Sequence, residues 1–125
     1  MRRLVVAVAL AAAGAAPAAL AADDPLAGYY GNTVVSTGGM LEIHTHYRAD
    51  HTFDLAGSMM GMHRDYKGTW SMAADGKLCR IFVGDLPPNT TNPVCSIVPP
   101  HKVGDTWTVD SNGSTRTVTI KPGVQ

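Results

Sequence analysis

Cysteine is scarce in this chain, with Cys79 and Cys95 the only two among 125 residues. Two thiols make at most one disulfide, not a disulfide framework. A surplus of either charge is also missing, since ten Lys and Arg balance ten Asp and Glu. That balance gives no electrostatic reason to expect nucleic acid or an anionic membrane as partner. Aromatic residues are only 6% of the chain, so the core must rest on few rings. Beyond the N-terminal region no apolar run is long enough to span a bilayer. Helical periodicity is almost absent there too. There is no Gly-x-Ser-x-Gly elbow, no His-Glu-x-x-His helix and no phosphate loop, the motifs that would announce a hydrolase, a zinc protease or a nucleotide enzyme.

What is present begins with an export signal. Arg2 and Arg3 form a basic start, Leu4 to Leu20 an alanine-rich apolar stretch, and Ala19-Leu20-Ala21 a small-residue cleavage site. Gly14, Pro17 and the acidic pair Asp23-Asp24 favour cleavage over a retained membrane anchor. Residues 1–21 are thus read as signal peptide and 22–125 as one domain, placed in the periplasm or secreted. In an oxidising compartment Cys79 and Cys95 are read as a disulfide. It closes a loop of about 17 residues and stabilises by roughly 3 kcal/mol in the chain-entropy model.

The mature chain reads as all-β. Short alternating runs recur about every eight to twelve residues, separated by Gly, Pro, Asp and Asn. Strands are expected near 28–35, 40–48, 52–60, 64–73, 77–83, 94–98, 105–111 and 114–121. Short turns between successive strands predict an antiparallel meander closing into a small barrel, with a two-sheet sandwich as the alternative. Ser36 to Gly39 is read as a flexible connector, and the proline-rich stretch Gly84 to Pro93 as a surface loop spanning the disulfide.

Three hairpins set the register. Asp75-Gly76 suits a two-residue type I′ turn, which would pair Trp70 with Ile81, Met72 with Cys79 and Gly68 with Val83. Cys79, Ile81 and Val83 would then join Tyr66, Trp70 and Met72 on the core face, and Leu78, Arg80 and Phe82 would face outward. A three-residue loop, Ala49-Asp50-His51, pairs Tyr47 with Phe53, Thr45 with Leu55 and Leu41 with Met59, because a two-residue loop would set Tyr47 against Asp54. Asn112-Gly113 predicts a further hairpin pairing Trp107 with Val118 and Asp105 with Ile120. Gly68, beside Trp70, signals a bend or a close backbone approach.

The succession Gly28-Tyr29-Tyr30-Gly31-Asn32-Thr33, Tyr47-Arg48-Ala49-Asp50, Gly68-Thr69-Trp70, Asp75-Gly76-Lys77-Leu78-Cys79 and Cys95 resembles small exported bacterial β-proteins of the lipocalin-like (calycin) type. His51 stands where those proteins usually have glycine. The resemblance implies a barrel able to hold a small ligand, and it carries over no catalytic residue.

Three groups of residues can carry chemistry. Tyr47, Phe53, Trp70, Met72 and Trp107 would line an interior ligand pocket. His44 and His46, two apart on one strand face, with Asp54 opposite His46, have the donors for zinc or copper. Met60, Met62 and His63 offer soft thioethers beside an imidazole, a set suited to copper(I). The bland account of both metal sets is a solvated outer face and a turn. The chain is therefore read as an exported, non-enzymatic binding protein for a small molecule or a protein partner. A copper- or zinc-binding periplasmic protein is one alternative, and a small barrel enzyme of cyclase or isomerase type is another.

Overall fold

The structure, a computed structural model, describes residues 24–111 and 113–125. The export signal expected over residues 1–21 and Asn112 of the expected Asn112-Gly113 turn lie outside the described residues. Alternating apolar positions between turn residues form eight antiparallel strands: β1 Thr33–Gly38, β2 Leu41–Tyr47, β3 Thr52–Met59, β4 Met62–Met72, β5 Leu78–Phe82, β6 Val94–Ser96, β7 Thr106–Ser111 and β8 Ser114–Lys121. Among the described residues there is no helix.

All eight strands belong to one curled sheet in the order β6-β5-β4-β3-β2-β1-β8-β7. This is the neighbour order of an up-and-down barrel opened along one seam. No ladder joins β6 to β7, so the barrel closure expected from the sequence is not reached, and among the described residues no second sheet forms. The seam has a chemical cause. β6 is three residues long and lies between Pro93 and Pro99-Pro100, which have no N–H to offer a ladder.

Further expectations are corrected, the first of them in β1. The first strand begins at Thr33, not near residue 28, and runs to Gly38. Residues 25–31 instead form consecutive turns, fastened where Leu26 N–H donates to Asp24 Oδ1 (2.9 Å) and Tyr29 N–H to Leu26 O (2.8 Å). Ser36, Thr37 and Gly38, read as connector, are drawn into the sheet because β2 offers each a partner and β8 also pairs Ser36 and Thr37.

The second correction is the register of β4 on β5. Gly68 pairs with Phe82, Trp70 with Arg80 and Met72 with Leu78, one residue away from the expected set. Asp75-Gly76 does not form a two-residue type I′ turn. Ala73 and Lys77 close a three-residue loop, Ala73 N–H donating to Lys77 O at 2.8 Å, and only Gly76 takes positive φ (84°). This is the turn-plus-bulge solution, in which one αL glycine suffices. A one-residue slip exchanges the faces of a strand. Leu78, Arg80 and Phe82 point inward, while Ile81 and Val83 are exposed.

The remaining registers agree with the sequence. Tyr47 pairs with Phe53 across a loop whose His51 holds φ 71°, and Trp107 pairs with Val118. Cys79 and Cys95 sit directly opposite each other on β5 and β6 and form the disulfide. Gly68 is the close approach: a Cβ there would lie 2.0 Å from Ile81 O and 2.9 Å from Phe53 Cε1. The core gathers at this end of the concave face, where Leu26, Tyr29, Tyr47, Phe53, Trp70, Leu78, Phe82 and Ile120 are buried together.

Candidate functional site

The ladders arrange the concave face in rows that cross β2, β3 and β4. Tyr47, Phe53 and Gly68 make the core row. Thr45, Leu55 and Tyr66 make the next, then Ile43, Gly57 and Arg64, then Leu41, Met59 and Met62. Burial falls along this series, from Phe53 at 1% exposed to Met62 at 63%. The outer rows do not collapse onto a partner. They line a cleft of about 470 Å³, roofed by Leu86, Pro87 and Pro88. That size is within the usual range for small-molecule sites.

The roof comes from the loop between β5 and β6. Val83 N–H donates to Lys67 O (2.9 Å), after which the chain leaves the edge of β4. The loop returns through Asn92, whose side chain accepts from Phe82 N–H and donates to Phe82 O, both at 2.9 Å. The Cys79–Cys95 disulfide joins the two strands that frame the loop.

Charge is segregated across the sheet. Among the described strand residues the inward positions carry Arg64, Arg80 and Arg116 and no carboxylate. Arg116 is held by neutral oxygens: its Nε donates to Ser36 Oγ (2.7 Å) and its Nη2 to Ser36 O (2.9 Å) and Leu41 O (3.2 Å). Arg80 lies over the Phe53 and Phe82 rings at 5.8 and 5.9 Å, and its buried Nε has no hydrogen-bond partner. Burial pushes the neighbouring Tyr47 phenol above its ordinary range, and Arg80 opposes that rise. Arg64, in the cleft, makes no hydrogen bond or ion pair among the described residues.

The carboxylates of the same strands are on the convex side, with partners. Asp54 takes an ion pair from Arg48 and lies 2.7 Å from His46 Nδ1. His46 Nε2 reaches Thr33 Oγ1 (3.1 Å) and Gln125 O (3.2 Å). His44 Nε2 sits 2.6 Å from Glu42. His63 lies between Ser58 Oγ (3.2 Å) and Asp65 Oδ1 (2.9 Å).

The structure brings His46 and Asp54 together and engages both ring nitrogens of His46, while His44 turns to Glu42. Among the described residues no three His, Cys, Asp or Glu side chains converge where they could hold a metal ion. Met60 is exposed in the β3–β4 turn with Gly61, and Met62 lies in the cleft wall. Tyr47, Phe53 and Trp70 belong to the packed core, with Met72 and Trp107 against it. The cleft is at the other end of the same face. Arg64 was legible from parity, two residues before Tyr66 and six before Trp70. The Leu86-Pro87-Pro88 roof has no sequence signal beyond its prolines.

No protein-family model, curated protein or solved structure matches the chain. What fold and site define is a class: a disulfide-bonded, all-β half-barrel with a packed end and an apolar cleft that contains one arginine.

Proposed function

We propose that this is an exported, lipocalin-like binding protein that holds a small molecule in the cleft between β2, β3, β4 and the Leu86-Pro87-Pro88 roof, and catalyses nothing. The carrying observation is the cleft itself, apolar on most of its walls, with a single charged side chain in it. Binding sites of this kind are concave, largely apolar and oriented by few polar groups. Export is supported by the basic-apolar start of the chain and by the disulfide, which suits an oxidising compartment. The open seam of the half-barrel makes the site a groove rather than an enclosed calyx.

Gly57 supplies the test. It has no positive φ, and a Cβ there would meet only Leu41 Cδ1 at 3.8 Å, so a side chain can be added without backbone strain. Gly57→Leu would project into the groove. Nile red should bind the purified full chain with a blue-shifted emission, and Gly57→Leu should abolish that binding while near-ultraviolet circular dichroism stays the same. Equal binding by the folded variant would overturn the proposal.

A further inference from the structure

We infer that the groove takes a single-tailed anionic amphiphile, its charged head on Arg64 and its aliphatic tail along Leu41, Ile43 and Met59. The inference rests on the binding role proposed above and adds the class of ligand.

Charge complementarity carries it. The chain as a whole is formally neutral, yet among the described strand residues the concave face holds cations and no carboxylate. The inward positions hold three arginines, and every strand carboxylate among the described residues faces away, most with a partner of its own. Arg116 is saturated by hydroxyl and carbonyl oxygens, so it adds positive potential without needing a counter-ion. Arg64 has no such set among the described residues. It stands solvent-exposed in a wall whose other members are mostly apolar, free to form a charge-assisted pair with a bound anion.

The space beside Arg64 has the matching shape. Its cross-strand partner on β3 is Gly57, with no side chain to cover the guanidinium. A head group placed there would leave the tail on the apolar row of Leu41 and Met59, under Leu86. An uncharged lipid would satisfy the walls and leave Arg64 unanswered. A cationic amphiphile would place its head beside the like charge of Arg64.

Three probes of equal tail length separate these cases: decanoate, decanol and decyltrimethylammonium, titrated calorimetrically into the full chain. Decanoate should bind with one-to-one stoichiometry, at least about tenfold more tightly than decanol, the gain expected of hydrogen bonds to a charged group. The ammonium probe should show no binding. Added salt should weaken decanoate and leave decanol unchanged. Arg64→Gln should bring decanoate down to the decanol value without altering decanol, Arg64→Lys should keep most of the preference, and Gly57→Leu should remove both ligands. Equal affinity for decanoate and decanol, or an Arg64→Gln protein that keeps the preference, overturns the anionic assignment. The groove itself then stands, provided decanol binding still disappears in Gly57→Leu. If Nile red fails as well as all three probes, the binding proposal falls and takes the ligand class with it.

Discussion

Gly57 lies in β3 opposite Arg64 of β4, and Gly68 lies in β4 opposite Phe53 of β3. Both face the concave side, at opposite ends of one ladder. At Gly68 the missing side chain lets β5 close in, with Ile81 O where a Cβ would be. At Gly57 nothing closes in, and the missing side chain becomes part of a cleft. The same residue type marks maximal packing at one end and deliberate vacancy at the other. One long pair of strands thus supplies both a stable end, where the buried rings meet, and a working end, where burial fades.

The largest effect should come from the core row. Phe53→Ala removes a ring in contact with Tyr47 and Phe82 and should cost about 3–5 kcal/mol by denaturant unfolding. Ile43→Ala, two rows away in the groove wall, should cost about 1 kcal/mol. Equal losses at the two sites would erase the distinction between the ends.

The glycines themselves give a matched pair. Gly68→Ala forces β4 and β5 apart and should cost about 3 kcal/mol. Gly57→Ala should change stability by no more than about 0.5 kcal/mol. Thermal melts of the two single variants check both numbers.

Reducing the disulfide should act on both ends unequally. A Cys79→Ser, Cys95→Ser double variant should lose about 2 kcal/mol, toward the low end for a disulfide, because the Asn92 side chain clamps the loop independently. Nile red binding should weaken, since β5 and β6 frame the loop that carries the roof, while the near-ultraviolet signal of Trp70 should persist. Lost core signal with unchanged binding would reverse the assignment of the loop to the groove.

How much of this was readable in the sequence differs between the same two ends. The ladder from Leu41–Met59 to Tyr47–Phe53 followed from hydrophobic register alone, because a one-residue slip would have set Tyr47 against Asp54. Asp75-Gly76 offered no such arbitration. Either register put apolar side chains inward, Cys79 and Ile81 in one and Leu78 and Phe82 in the other. The difference lay in loop geometry: Asp75 did not take positive φ, and the turn absorbed a third residue. That slip hid Arg80, and with it part of the positive interior. Barrel closure depended on the length of one short strand, β6 between Pro93 and Pro99-Pro100, which alternation alone did not settle. The groove was illegible for a related reason. Its walls obey the same alternation as the core, and only the three-dimensional curl decides which rows meet a partner.

The smallest expected effect is on acidification, and it belongs to the packed end. Asp105 accepts from Lys102 N–H (3.1 Å) and lies 3.2 Å from His101 Nδ1, whose ring stacks on Trp107 at 3.5 Å. These bonds, the Lys102 N–H first, hold the Asp105 carboxyl below its ordinary value of 3.8. A carboxyl lowered by folding contributes stability above its unfolded value and loses it as pH falls through the folded one. Wild type should therefore be more stable than Asp105→Asn near neutral pH, and the gap should close progressively below about pH 4. Denaturant melts of both proteins across that range measure it. A gap that widened on acidification would mean that Asp105 is strained, not stabilised, at the seam where His101 meets Gly28, and the packed end would then owe nothing to it.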